Sequence, residues 1–522
     1  RLRHAMGYSG EHLTICVMIS DIGWRAGHGR RWGVIGEEMA DSDLIVIWGT
    51  NPVATHVNAM THVARARKAR GAPLVVVDPY RNGTAEQADV HLALRPGTDG
   101  ALACAVMHVL FRDGYADPAY LERYADDWRE LEAHLQSRTP TWGSRITGLS
   151  IEQIEDFARL YGSTRRSYLR LGYGFTRSRN GAVSMHAASC LPVVTGAWQH
   201  RGGGALYNQG DLYHWDKTLI EGLDLCDPKT RVLDQSRIGP VLTGDARDLG
   251  DGPPVTALLI QNTNPMAVAP ELEKVHQGFA RDDLFVCAHE QFMTETARMA
   301  DIVLPATMFL EHDDIYQAAA HTRIQIARKL FEPHAKCRTN HFVICELAKR
   351  LGAPAHPGFA MTEWHLIDDL LQRSGWPDAE TVWRAGGLDA MPDHATSHHL
   401  NGFPTPSGKF QLKPDWSRFG PDHARMPRLP DHFAIIDAID DEHPFRLVAA
   451  PARNYLNTSF TETPTSRRRE ERPTVRLSQK DAARHGVLAG DRVRLGNRRG
   501  SIVLHAEIRE GQQPGVLVVE SI

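Results

Sequence analysis

Three short stretches of this 522-residue chain carry residue types suited to holding a phosphate-bearing ligand. Gly49-Thr50-Asn51-Pro52 closes the apolar run DLIVIWG at 43–49. At the carboxyl end of a parallel strand, Gly49 lets a ligand approach the backbone, and Asn51 offers both a donor and an acceptor. A plain strand-to-helix turn, which Asn-Pro also favours, is the competing reading. Asp78 ends LVVVD (74–78), where a carboxylate takes two hydrogen bonds from a ribose diol or a guanine edge, or else caps a helix. In RPGTDGAL (95–102), Gly97 makes a turn, and Thr98 and Asp99 read as caps of a helix whose free N–H groups favour an anion. Arg95 adds a fixed positive charge beside it, a combination that suits any diphosphate.

The elements that must position these residues follow from hydrophobic pattern. The run 43–49 and LVVVD at 74–78 read as buried parallel strands, and 55–70 between them has helical spacing, with Val57, Met60, Val63 and Ala64 on one face. Strand, helix, strand over about 35 residues is a βαβ unit. The plan recurs: TALLI at 256–260, a helix-like 270–280 and LFVCA at 284–288. Thr50-Asn51-Pro52 matches Thr263-Asn264-Pro265, which Asn262 precedes, and Ala88-Asp89 matches Ala300-Asp301 downstream. Two anchors at nearly equal offset predict two related nucleotide-binding halves. Residues 100–166 read as helical, 168–175 as a strand entering a glycine turn with Gly172 and Gly174, and 181–197 as a further helix. That turn fails as a GxGxxG fingerprint because the third Gly is missing. The segment 353–440 is rich in Pro, Gly and His and reads as loops with one helix near 362–373. Five short β-rich runs from 445 to 519 predict a separate small barrel.

Bulk properties narrow the class. Lys+Arg 59 against Asp+Glu 63 gives a net charge of −4, which argues against a general nucleic-acid binder. The seven Cys (16, 104, 190, 226, 287, 337 and 345) form no CxxC, which argues against a disulfide framework and against a zinc or iron–sulfur site built from these residues alone. A reducing, cytoplasmic compartment is the simpler expectation. No run of 18 apolar residues predicts a membrane span. The chain opens on RLRHAMGYSG and closes on VLVVESI within a strand-like run, so both ends read as cut.

Taken together, WGTNP (48–52), VVVDP (75–79), RPGTDGAL (95–102), NTNP (262–265), TETARMADIVLPA (294–306) and TPSGKFQL (405–412) resemble the dimethyl-sulfoxide-reductase family of molybdopterin oxidoreductases, which includes formate dehydrogenases and nitrate reductases. The resemblance covers essentially the whole chain. It implies an α/β fold: two pseudo-symmetric Rossmann-like parallel-sheet halves plus a C-terminal double-psi-type β-barrel. The expected division is a first half at 1–165, with 330–430 as a return to it, a second half at 166–330, a connection at 331–440, and the dinucleotide-binding barrel at 441–522.

The same resemblance implies molybdenum, or tungsten, held by two molybdopterin guanine dinucleotides. It further implies two-electron oxidation or reduction of a small substrate, and an iron–sulfur, flavin or cytochrome protein as electron partner. A 4Fe-4S cluster is expected only in a preceding N-terminal domain. Cys16, in HLTICVMISDIGW (12–24), matches the position of the protein's own metal ligand, and a thiolate suits a metal already bound by sulfur. Val17 stands where formate dehydrogenases carry His, a departure that weighs against formate oxidation. His28, in GHGRRWG, is a candidate proton relay, with an ordinary surface His as the alternative. By resemblance Gly172 and Gly174 belong near the second dinucleotide, Glu290 and Thr294 correspond to the Asp78 neighbourhood, and Asn457 and Thr458 lie on a barrel loop that reaches the pterins. Arg467-Arg468-Arg469 reads as a solvated loop. The rival readings are a non-catalytic subunit resembling the large iron–sulfur subunit of NADH dehydrogenase and a hydratase using the same cofactor. An NAD dehydrogenase is disfavoured by the lack of GxGxxG.

Overall fold

The longest apolar runs of the first half form strands covered on both faces, as parallel sheets require. In the computed structural model, which describes residues 1–437 and 439–521, LIVIW, LVVV and SYLRL are buried at every position. They are β1 (Leu44–Trp48), β2 (Leu74–Val77) and β4 (Ser167–Leu171), joined at the edges by β3 (Val90–Leu92) and β5 (Gly204–Leu206). The sheet order is β3-β2-β1-β4-β5, all parallel. Residues 167–206 therefore complete the first sheet, and the expected start of the second half at 166 is corrected. A run of helices separates β4 from β1, so hydrophobic pattern alone does not reveal that the two strands pair.

Helices pack on this sheet by their small-residue faces. They include α1 (Met18–His28), α2 (Val57–Arg70) and α3 (Asp99–Arg112). Helix α3 is buried from Gly100 to Met107 and again at Val109 and Leu110. Helix α2 turns Ala59, Val63 and Ala66 inward, whereas Val57 and Ala64, assigned to that face from spacing, are exposed.

The second half repeats the first three strands. β6 (Ala257–Gln261), β7 (Phe285–Glu290) and β8 (Ile302–Pro305) form a parallel sheet in the order β8-β7-β6, with α4 (Leu272–Phe279) between β6 and β7. These strands are only partly covered, and Leu259, Phe285 and Ile302 stay exposed. The duplication extends to single hydrogen bonds. Asn51 Oδ1 accepts from the Thr84 hydroxyl at 2.7 Å, and Asn264 Oδ1 from the Thr296 hydroxyl at 2.7 Å. The same two threonine oxygens accept the N–H groups of Val53 and Met266, each one residue past the turn proline. Asp89 takes the N–H of Leu74 at 2.7 Å, and Asp301 that of Val286 at 2.7 Å. Gly49 and Asn262 open the two turns with φ of +66° and +57°, a left-handed conformation that Gly adopts freely and Asn tolerates.

The third unit is a curled five-stranded sheet of the expected barrel type. It contains β9 (Arg446–Pro451), β10 (Thr474–Ser478), β11 (Arg492–Asn497), β12 (Gly500–Arg509) and β13 (Val516–Ser521), in the order β9-β13-β10-β12-β11. Pairings β9/β13 and β10/β12 are parallel, while β10/β13 and β11/β12 are antiparallel. One face buries Val475, Leu477, Leu504 and Leu517, and Val448, Ala450, Val516 and Val518 pack with Tyr80 of the first half. Between the halves and the barrel, 353–440 contains the expected helix, Glu363–Arg373, and three shorter helices that composition did not suggest. No helix among the described residues is long and apolar enough to cross a membrane.

If the duplicated Asn–Thr pins hold the two turns, Asn264→Ala should destabilise the second half by about 1–3 kcal/mol, because the buried Thr296 hydroxyl and N–H lose their shared acceptor. A lowered thermal midpoint with retained circular dichroism is the expected result.

Candidate functional site

A sheet ordered 3-2-1-4-5 reverses direction between β1 and β4, and ligands bind in the crevice beyond the strand ends at that point. Here the two turns flanking the reversal touch. Gly172 N–H donates to the Trp48 carbonyl at 2.9 Å, and Gly174 N–H to the Gly49 carbonyl at 2.7 Å. A Cβ on Gly172 would lie 2.3 Å from that of Thr50, and one on Gly174 2.7 Å from the Gly49 oxygen. Only glycine fits at either position. Gly172 and Gly174 thus form one wall at the end of the first sheet.

Asp78 lies at the end of β2 in the same crevice, 7% exposed. Burial pushes its carboxyl up to about 8, against the N–H of Tyr80 and with the charge of Asp99 adding to the rise. Asp99 accepts the Trp48 indole N–H at 2.8 Å, and burial raises its carboxyl as well. Other residues expected to face a ligand are engaged within the fold. The Oδ1 atoms of Asn51 and Asn264 hold the threonines described above, and Asn264 Nδ2 donates to Glu295 at 2.8 Å. Arg95 donates to the Arg145 carbonyl at 2.9 Å, at the end of a helix. Thr98 does not cap α3 with its side chain; its hydroxyl turns back to the Arg95 carbonyl at 2.6 Å. Gly97 packs on Ser178 and Ile436, and Gly100 on the Asp431 carbonyl, so a loop covers this helix start.

Cys16 is exposed just ahead of α1, with φ +67°, an uncommon conformation for a residue with a side chain. Behind it lies a polar network that spacing did not suggest. Tyr207 donates to Asp21 Oδ1 at 2.6 Å, and its Oη lies 2.6 Å from the Ser20 hydroxyl. Arg31 holds Asp21 Oδ2 at 2.6 Å and also grips Asp211. Burial, together with Asp21, raises the Tyr207 phenol far above its ordinary range. Burial also raises Tyr173, between the two wall glycines, and the charges of Asp21 and Cys16 add to the rise.

Arg170, buried in β4, donates to the carbonyls of Leu206 and Tyr207, while its Nε has no partner and burial lowers its affinity for a proton. An arginine inside an otherwise apolar strand was the available sequence signal for this site. His28 lies elsewhere, at the far end of α1, roughly 15 Å along the axis from the helix start. It is fully buried, stacked on Trp24 at 3.7 Å, and its pKa is held well below the ordinary imidazole value by burial. Neither the relay role nor the surface alternative matches that position.

In the second half Asn262 and Asn264 form the turn after β6, Glu290 ends β7, and Thr294 caps the helical turn Glu295–Arg298 by accepting the Ala297 N–H. Glu290 itself accepts the next backbone N–H, from Gln291. The barrel meets the first half beside its turn. Arg453 donates to the Val53 carbonyl at 3.1 Å, just past the first turn. Glu295 beside the second turn is held below its usual range by Asn264 Nδ2 and its own N–H, and the charges of Arg298 and Arg467 add to this. Asn457, with φ +51°, and Thr458 lie between these arginines, in the tight turn 456–459. The triple arginine sits in a helix, Pro464–Glu470, rather than in the loop expected.

Comparison with known proteins agrees with this architecture. Residues 20–350, more than half of the chain, match the family model "Molybdopterin oxidoreductase", and 445–521 match "Molydopterin dinucleotide binding domain". The chain is 34% identical to the probable oxidoreductase YoaE of Bacillus subtilis, over 100% of this chain and 75% of that protein. It is 26% identical to formate dehydrogenase H of Escherichia coli, over 99% and 72%. Among solved structures, acetylene hydratase from Pelobacter acetylenicus superimposes with a TM-score of 0.77 at 19% identity, covering 99% of this chain and 74% of that one, a likeness of fold.

The buried Asp78 carboxyl gives the ligand-free protein a defined pH dependence. With a folded value near 8 against about 3.8 unfolded, the native state binds the extra proton across that window. This contribution is fully present below pH 3.8 and is lost as pH rises to 8. Asp78→Asn keeps the neutral shape, so its stability relative to wild type should climb by up to about 1.4 kcal/mol per pH unit across the window. Thermal midpoints of the two proteins at pH 5 and pH 8.5 check this.

Proposed function

Because the chain belongs to the molybdopterin oxidoreductase family, we propose that it holds molybdenum, or tungsten, between two molybdopterin guanine dinucleotides for two-electron conversion of a small substrate. The observation that carries this reading is the duplication of the strand-end turn in the two halves, with Arg453 of the barrel bonded beside the first. A duplicated ligand needs duplicated crevices, and the bond-for-bond repetition around Asn51 and Asn264 supports a pair of equivalent grips.

The residues present fit such a group. Asp78, neutral at pH 7 by burial, has a carboxyl able both to donate to and to accept from a nucleobase edge. The unpartnered Nε of Arg170 leaves a buried cation that favours an anion at the crevice. Gly172 and Gly174 present backbone where a side chain would obstruct. When bound, the metal–pterin group supplies the two-electron redox chemistry. Cys16 is assigned as the thiolate that the chain offers to the metal.

Val17 cannot handle protons, so in this reading that task falls to Asp21 and Tyr207. Their short hydrogen bond holds a proton at the phenol oxygen, and Arg31 keeps the carboxylate aimed. Electrons leave or enter through an iron–sulfur, flavin or cytochrome partner.

X-ray absorption at the metal edge tests the assignment. Five sulfur neighbours are expected in the wild-type protein and four in Cys16→Ser; four in both, or no molybdenum or tungsten, rejects it. Asp21→Asn is expected to keep its metal while turnover falls by about 10²–10⁴-fold, the usual contribution of a positioned acid–base group. Unchanged turnover and pH profile would remove the dyad from the reaction.

A further inference from the structure

The end of the first sheet opposite the crevice carries a second cluster of ligating side chains. Glu38 lies in the turn Gly36–Asp41 leading into β1, 2% exposed. His398, fully buried, follows the helical turn His394–Ser397 and sits with its Nε2 2.8 Å from Glu38 Oε2. Its Nδ1 lies 2.7 Å from the Trp198 carbonyl, just before the turn into β5. Both ring nitrogens therefore face acceptors. A neutral imidazole has one N–H, so it satisfies one of these contacts and leaves the other as lone pair against lone pair. His394, four residues earlier and exposed, places its ring 4.0 Å from that of His398. One ligand atom from each of Glu38, His394 and His398 lies within 4.8 Å of the other two.

We propose that Glu38, His394 and His398 bind a divalent cation of the zinc class, separate from the redox metal, as a clip between the start of β1 and the 394–399 segment. Two imidazoles and one carboxylate are a donor set that zinc, cobalt(II) and nickel(II) accept. Ligand atoms about 2.0–2.1 Å from such an ion stand roughly 3 Å apart, so rotation of the exposed His394 ring closes the set. The Nδ1–H of His398 on the Trp198 carbonyl is the orienting contact that metal-bound histidines make, and it directs Nε2 to the ion. Glu38 Oε2 keeps the Gly202 N–H at 3.1 Å. Arg201 stands 3.7 Å from the other Glu38 oxygen but is engaged by Asp41 at 2.8 Å, which offsets part of its charge. The exposed side of His394 leaves a further position for water.

The alternative occupant of the same geometry is a second proton on His398, making a buried imidazolium–carboxylate pair. Zinc binding by the intact protein separates the two. Equilibrium dialysis against zinc chloride, read by elemental analysis, is expected to give one zinc per wild-type chain that His394→Ala takes up roughly tenfold more weakly or not at all. Zinc should raise the thermal midpoint of wild type and leave that of the variant unmoved. His394 is exposed, so its substitution preserves the fold, which circular dichroism verifies. Equal zinc uptake by both proteins, or no uptake by wild type, overturns the proposal in favour of the proton. Molybdenum or tungsten content, measured in the same samples, reports independently on the redox site.

Discussion

The close approach of two turns is the constraint from which the crevice follows. Gly174 N–H reaches the Gly49 carbonyl at 2.7 Å, and Gly172 N–H reaches that of Trp48, because neither glycine carries a Cβ that would meet Thr50 or Gly49. The contact closes the reversal point between β1 and β4 from within and leaves the strand ends facing outward. Trp48, the last residue of β1, then sets Asp99 through its indole N–H, and Asp99 in turn acts on the buried carboxyl of Asp78. A side chain at either glycine would part the turns and carry the Asp78 neighbourhood with them.

The Asn-Pro turns show what a repeated sequence pattern does for the backbone. Asn51 and Asn264 recur because each must accept a threonine hydroxyl and fix the first residues after the proline. Their Oδ1 atoms look inward and support the turn. The likeness between the halves thus extends to the bonds that hold each turn at its strand end. Asp89 and Asp301, the other matched anchor, are likewise clasped to backbone N–H groups of the preceding strand.

Much of the fold was legible because buried parallel strands leave an unmistakable trace, and LIVIW, LVVV and the five barrel runs all became strands. Pairing partners were not legible. SYLRL carries no mark that it returns beside β1 across a long helical stretch, and this misplaced the boundary at 166. At the site, Asp78 and Gly49 followed from position at strand ends. The Asp21–Tyr207–Arg31 network did not, since Tyr207 stands at the end of β5, a strand too short to leave a pattern, 186 residues from Asp21. His28 illustrates the opposite failure. A histidine near Gly and Arg suggests a surface loop, yet stacking on Trp24 and contact with the Phe410 ring bury it completely.

Helix α1 connects these observations mechanically. It begins two residues past Cys16, carries Ser20 and Asp21 on its first turn, and ends at His28 in the aromatic core. Gly23 packs against the Ala182 carbonyl, where a Cβ would come within 2.3 Å, and Gly27 lies flat on the Phe410 ring, where one would come within 2.4 Å. A helix seated this closely cannot slide or rotate without collision, so the position of Cys16 is set by contacts well removed from it. Asp21 rides on this helix, and its partner Tyr207 meets it from the end of β5. Phe410 extends the chain of contact to Phe403 and His399, next to His398 and its partner Glu38 at the other end of the sheet. Fixing that end removes freedom from the packing that holds α1, the helix that follows Cys16.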